Sequence, residues 1–587
     1  MKELLYLKKY FIKYKKRLLI GSVFVILSNV FKVWSPQFLG DAVDLISNNL
    51  ELFTTGQENS AEKLSISKTI MNFVLIYFVI ALISGLFTFL MRQSIIVMSR
   101  LIENDLRNEI YTHYQVLDQS FYKNNNTGDL MNRATEDVSK VRMFLGPAVM
   151  YTINVIMLFS FVIYSMLQIN VSLTFWVLLP MPFLIFSIYK VQSYINVRSK
   201  KIQEKLSDLT TQAQEFYSGI RVLKSFVQEK YAKEVYKTNS EEYKTASLKL
   251  ARIEALFFPL MVLLIGVSTV LVIFIGGIKM NEGLISPGDI LKFIFFVNML
   301  TWPISSVGWV ATLIQTAAAS QKRINYFLKT ESSITSKSSL DFDFDGSISF
   351  KNVSFTYKDT GVQALKNISF ELKKGERWAI MGKTGSGKTS LAELICRLYN
   401  VSSGEIKVSN KNIKDVNFSN LRSQIGFIPQ DVFLFSDTIE NNIKFSNADI
   451  TKEAVVNIAK EIAIHKEIIK FPLAYDTLVG ERGITLSGGQ KQRIAMARAM
   501  IKDPSIYIFD DSFSALDTRT EKTIFKNIEP YLKNKSVVMI THRIPVHFKF
   551  DKILILNEGE ITEFGTHEEL LNQQGYYYNI FNKQRKM

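Results

Sequence analysis

Between Gly382 and Thr389 the chain reads Gly-Lys-Thr-Gly-Ser-Gly-Lys-Thr, preceded by the apolar run Trp378–Met381 and followed by the helix-like stretch SLAELICRLY that opens on Ser390. Glycines spaced this way between a strand and a helix let backbone N–H groups converge on phosphate oxygens at a helix N-terminus, where the helix dipole favours negative charge. Gly382, Lys383, Thr384, Gly385, Ser386, Gly387, Lys388, Thr389 and Ser390 are therefore candidate phosphate contacts. Lys388 is expected to reach the β- and γ-phosphates and Thr389 to ligate Mg²⁺. Farther on, the buried-strand run Ile506–Phe509 ends in Asp510-Asp511. One carboxylate there can hold a magnesium shell and the next can meet water. Taken alone, the pair reads equally well as two solvated carboxylates at a strand end.

The elements that must position these groups divide the 587 residues into two kinds of sequence. Six apolar stretches, near 18–39, 70–91, 144–167, 171–189, 256–278 and 290–313, meet the roughly 20 residues a helix needs to cross a bilayer. Lys and Arg crowd 1–17, 92–142 and 190–255, whereas 168–170 has none and 279–289 has only Lys279. Basic flanks are retained in the cytosol, so both termini are expected there, in a multi-pass protein of the cytoplasmic membrane. The net charge of +16 is then a matter of topology and anionic headgroups. No basic stripe with interleaved aromatics points to nucleic acid. Cys396 is the only cysteine, which excludes an intrachain disulfide and a cysteine-ligated zinc.

Residues 1–17 alternate lysines with Leu, Tyr and Phe and have no cleavage site after them, as expected of an amphipathic helix on the inner membrane surface. The two long basic connections carry helical patterning and few breakers, so they read as helical arms, turning at Lys123–Gly128 and at Ser218-Gly219. The expected domains are the interfacial helix 1–17, a six-helix membrane domain with cytosolic arms over 18–325, a polar linker over 326–345, and an α/β domain over 346–587. The fold class is a membrane all-α domain fused to a cytosolic α/β P-loop NTPase.

With these residues in place the chain resembles the ATP-binding cassette exporters. Leu486-Ser487-Gly488-Gly489-Gln490 matches that family's signature motif. Gln430 in IPQD, Ser514-Ala515-Leu516-Asp517 after the Asp510 strand, and His542 in VVMITHR match further elements. The segments FYKNNNTGDLMNRATEDV and EFYSGIRVLKSF are similar to the family's two coupling elements at the arm ends. The resemblance implies that ATP and Mg²⁺ are the cofactors, and that two cassettes pair head to tail, with each ATP held between one chain's phosphate loop and the other's signature. Ser487, Gly488, Gly489 and Gln490 would then serve ATP bound to the partner, with Ser487, Gly488 and Gly489 donating to its γ-phosphate. Tyr357 would stack on adenine, although a strand tyrosine of this kind also reads as core. Thr389, Gln430 and Asp510 would surround Mg²⁺, and Asp511, His542 and Gln430 would be the catalytic set.

One position departs from the family. The catalytic carboxylate after the Walker B aspartate is usually Glu, and here it is Asp511. One methylene less withdraws the carboxylate by about 1–1.5 Å, and misplacement on that scale costs about 10²-fold in rate. Hydrolysis at this chain's own site is expected to be slow. A heterodimer with a Glu-bearing half-transporter is accordingly favoured over a homodimer. The expected cargo is a small amphipathic molecule, drug-like or lipid, moved by alternating access with membrane lipid as the surroundings. An ATP-gated channel or a regulatory membrane scaffold is the alternative that slow hydrolysis would also suit. Lys32, inside the first span, either faces an aqueous cavity or snorkels to a polar partner.

Overall fold

The computed structural model describes residues 2–49, 60–335, 342–480, 483–545 and 547–585; positions 336–341 of the expected linker lie outside the described residues. The chain divides into two compact units. One comprises Met1–Tyr114 with Gly128–Thr330, the other Gln115–Thr127 with Glu331–Met587.

Among the described residues the first unit is built on six helices long and apolar enough to cross a bilayer: α1 (Lys15–Asn48), α2 (Leu64–Val116), α3 (Thr127–Ile169), α4 (Val171–Ser218), α5 (Glu229–Asn281) and α6 (Pro287–Leu328). Each contains one of the apolar stretches read from sequence and runs past it. At 53 residues, α2 and α5 extend about 80 Å at 1.5 Å per residue, against a hydrocarbon core of about 30 Å. Pro36, Pro259 and Pro303 lie inside helices without ending them. The last helix reaches Leu328, inside the segment expected as linker, because Ile324 and Phe327 are still fully buried.

Several polar groups within the bundle find partners, which lowers the cost of withdrawing them from water. Asn29 donates to Asn154 at 2.9 Å, and Ser28 bonds Thr88 at 2.8 Å. Lys32 is exposed on α1. Gly40 on α1 and Gly288 on α6 permit a close crossing, since a Cβ on Gly288 would lie 2.1 Å from the Gly40 carbonyl oxygen. Beside it, Asp44 accepts from Ser286 Oγ (2.7 Å) and Gly288 N–H (2.6 Å), and Lys292 meets Asp41 at 2.9 Å. The N-terminal stretch forms a 3₁₀ turn, Lys2–Leu7, and a helix, Lys8–Lys13. Leu7 is buried, and Lys9 and Lys13 reach Glu109 (2.5 Å) and Asp105 (2.6 Å) on α2.

In the second unit, an antiparallel sheet of order β2-β1-β4-β5 joins β1 (Ile348–Thr356), β2 (Gln363–Leu372), β4 (Ser403–Val408) and β5 (Lys411–Asn412). A second sheet of order β10-β9-β3-β8-β7-β6 joins β3 (Arg377–Gly382), β6 (Ile425–Ile428), β7 (Ile506–Asp510), β8 (Ser536–Ile540), β9 (Lys552–Asn557) and β10 (Glu560–Gly565), parallel except for β10. Strands β7 and β8 are buried along their whole length, as expected of central parallel strands covered on both faces. Ligand sites in such sheets open at the carboxyl ends of the strands. Those of β3, β7 and β8 carry Gly382, Asp510 and, two residues on, His542. The free Cys396, after the helix that follows β3, is buried in the core between the sheets.

Candidate functional site

Strand β3 runs straight into the phosphate-loop candidate, and helix α7 (Lys388–Ile395) starts directly after it. Two glycines in the turn are sterically required. Gly382 has φ +152° and a Cβ there would lie 2.1 Å from the Leu556 carbonyl oxygen. Gly387 has φ +100° and its Cβ would lie 2.4 Å from that of Ala364. Gly387→Ala should therefore displace the loop and weaken ATP binding about tenfold or more, since left-handed backbone at an L-residue adds about 1–2 kcal/mol to the clash. Isothermal titration of the purified protein with ATP checks this.

Lys388 Nζ donates to the carbonyl oxygens of Gly382 (3.0 Å) and Lys383 (2.7 Å), which curls the loop around its ammonium. Burial holds this lysine below its ordinary range, with Asp510 and Asp511 acting in the opposite sense. Asp510, at the end of β7, is lifted above the usual carboxylate range by burial; the bond from Thr389 opposes this and the Asp511 charge adds to it. Among the described residues its buried Oδ2 has no hydrogen-bond partner, and neither has Ser386 Oγ. Buried polar atoms are nearly always partnered. An orphaned carboxylate oxygen beside the Thr389 hydroxyl suits the shell of a hard divalent cation, which takes oxygen ligands.

Asp511 adopts φ +48°, a left-handed conformation uncommon for a residue with a side chain. It is held there by its N–H on the Ile540 carbonyl (2.9 Å) and by Ser514 Oγ on its own carbonyl (2.8 Å). Strain of this kind concentrates at functional sites. His542 is depressed below the ordinary imidazole range by burial and by the Lys388 charge, against Asp511. Gln430 follows the end of β6.

These residues line one cavity of about 530 Å³: Tyr357, Thr384 to Ser390, Gln430, Asp510, Asp511 and His542. Sequence reasoning missed Lys366, Glu558 and Gly559, which line it as well. They arrive through the contact of Lys366 N–H with the Gly559 carbonyl (2.8 Å), a pairing with no local signal. Ser487, Gly488, Gly489 and Gln490 do not line the cavity. Ser487 caps α8 (Gly488–Met500) in a capping box with Gln490, leaving Ser487 and Gly488 exposed at the helix N-terminus. The Gln490 side chain is fully engaged: Oε1 accepts from Ser487 N–H (2.9 Å) and Nε2 donates to Glu467 (2.8 Å). Among the described residues no group of three or more His, Cys, Asp or Glu side chains is placed to hold a metal ion.

Residues 18–304 match the family described as the ABC transporter transmembrane region, and residues 365–514 that described as ABC transporter. The chain is 30% identical to the multidrug resistance-like ATP-binding protein MdlA of Escherichia coli (strain K12), over 98% of this chain and 95% of that protein. It is 32% identical to an ATP-dependent lipid A-core flippase of Syntrophus aciditrophicus (strain SB), over 82% of this chain and 80% of the flippase. Among solved structures, a bacterial Atm1-family ABC exporter with ATP bound has the same fold, with a TM-score of 0.78 at 24% identity, covering 97% of this chain and 98% of that one.

Proposed function

We propose that this chain, which belongs to the ABC transporter family, works as one half of a two-chain exporter that drives an amphipathic substrate outward by alternating access. The premise is a multi-pass membrane transport ATPase, six spanning helices followed by an ATP-binding cassette. The observation that carries the proposal is the separation within one chain of the phosphate-loop cavity from the exposed signature residues Ser487 and Gly488. A second chain that presents its own signature to this cavity completes the site, and this chain's signature completes the partner's.

In that assembly the loop N–H groups and Lys388 hold the phosphates, and Tyr357 stacks on adenine. Thr389, Gln430 and Asp510 would hold Mg²⁺, which when bound offsets phosphate charge. Asp511 and His542 face the γ-phosphate end, His542 as a neutral imidazole able to accept or donate a proton. The short, strained Asp511 makes turnover here slow, so a Glu-bearing partner is favoured and this chain's Ser487, Gly488 and Gly489 serve the faster site. Gln490 supports them by capping. The termini and cassette lie in the cytosol, with the protein in the cytoplasmic membrane. At the tip of the second arm Tyr217, Phe226 and Val227 are 76%, 70% and 79% exposed, an apolar surface that suits contact with the partner.

The cargo reading draws on a cavity of about 580 Å³ in the membrane unit. Its walls include Val155, Phe159 and Ile304, its polar lining is Ser193, Asn196, Thr312 and Gln315 with Tyr189, and among the described residues no charged side chain contributes. Such a lining suits a molecule with a large apolar surface and a few uncharged hydrogen-bonding groups. The multidrug and lipid A-core names of the relatives agree with drug-like or lipid cargo. Vesicles reconstituted with this chain and its partner should show ATP-dependent movement of fluorescent amphiphiles or lipid analogues. No movement across a broad panel, together with ATP-dependent unitary currents in planar bilayers, would replace the pump with a channel.

A further inference from the structure

The tip of the first arm belongs to the same compact unit as the cassette. Its short helix, Gln119–Asn124, is capped by Asp118, which accepts from Phe121 N–H (3.2 Å) and also from Ser333 N–H (2.7 Å) and Oγ (2.5 Å). Anchored in this way, the helix carries Lys123 over the ring of Tyr357. The ammonium lies 4.0 Å from the ring centroid and 3.8 Å from Asp359. The ring is itself fastened. Its hydroxyl donates to Glu393 (3.0 Å) and bonds Ser390 Oγ (2.9 Å), while Phe355 and Tyr399 brace it edge-on. Tyr357 lines the phosphate-loop cavity, whereas Lys123 is not among its lining residues, so the ring is the part of this pair that a nucleotide base in the cavity would meet.

We propose that Lys123 is a positioning residue for the nucleotide base, forming a three-layer stack of ammonium, tyrosine ring and adenine that joins base occupancy to the tip of the first arm. The inference rests on the reading of Tyr357 as the adenine-stacking residue. A cation over one face of an aromatic ring is attracted by the ring quadrupole. By drawing π density toward itself it leaves the opposite face better suited to an electron-rich purine. Because binding free energies are reciprocal, a base that stacks more tightly on a cation-bearing ring also strengthens the hold of that cation on the ring. The arm tip is then gripped more firmly when adenine is present than when phosphates alone occupy the loop.

The test uses the full-length chain with its partner in nanodiscs. Photolabelling with 8-azido-ATP is read on this chain alone after electrophoresis, and inorganic tripolyphosphate serves as a competitor that lacks a base. Lys123→Met should raise the half-saturating azido-ATP concentration about two- to fivefold, as expected of a partly exposed cation–ring contact. The tripolyphosphate inhibition constant should not change, and Lys123→Arg should restore labelling. In a Tyr357→Ala background, Lys123→Met should add nothing. The proposal is overturned if Lys123→Met weakens tripolyphosphate equally, which would make the lysine a general phosphate attractor, or if its effect persists without Tyr357. Unchanged labelling in Tyr357→Ala, with loss in Lys388→Ala, would instead remove the adenine-stacking reading on which the proposal stands.

Discussion

Ser487→Ala is expected to lower steady-state ATP turnover of the assembled transporter about 10²–10³-fold, the usual loss when one transition-state hydrogen-bond donor is removed. Asp511→Asn, by contrast, should reduce it only slightly. The asymmetry follows from which site each residue serves. Ser487 stands exposed at the N-terminus of α8, away from its own chain's cavity; in the proposed heterodimer it would act on nucleotide held by the partner, whose site would carry the Glu. Asp511 lines this chain's own cavity, the site where the proposal expects slow turnover. In a homodimer both mutations would strike both sites, and both should abolish turnover. Because Ser487 also caps its helix, the alanine costs about 1 kcal/mol of local stability as well. Ser487→Thr keeps both hydroxyl and cap and should fold and turn over far better. Steady-state ATPase rates of each variant, purified with the native partner, decide the matter. Equal and near-complete loss in Ser487→Ala and Asp511→Asn would overturn the heterodimer.

The second large effect is expected from Lys388→Ala, which should weaken ATP binding at this chain's loop about 10²-fold. Charge-assisted hydrogen bonds contribute roughly 1.5–3 kcal/mol each, and the substitution removes the buried cation from among the phosphates. It also leaves the Gly382 and Lys383 carbonyls without the ammonium that curls the loop. Photolabelling with an ATP analogue, read on this chain, should fall accordingly. Undiminished labelling would remove the phosphate-loop assignment.

What was legible in the sequence is what short-range chemistry dictates. Glycine spacing between Gly382 and Gly387 announced the loop because only residues without a Cβ fit against Leu556 and Ala364. The apolar runs announced the six helices because a span must be long and continuous. Their full extents were less clear, since α6 is carried on to Leu328 by burial of Ile324 and Phe327, and burial is set by neighbours distant in the chain. Lys366, Glu393 and Gly559 had no motif to mark them. They reach the cavity or Tyr357 only once β1, β2 and the β9–β10 turn have come together. The bond from Gln490 to Glu467 was likewise invisible, because Glu467 belongs to another helix.

The enclosure of Cys396 has a practical corollary for following the transport cycle. Burial pushes its thiol up to about 12, so at neutral pH almost no thiolate forms, and little of the residue meets water. The native chain is therefore expected to react only slowly with maleimides and spin-label thiosulfonates. A single thiol introduced at an arm tip or beside the cavity will carry the whole signal. Distances between such labels can be tracked through ATP binding and turnover in an otherwise unaltered sequence.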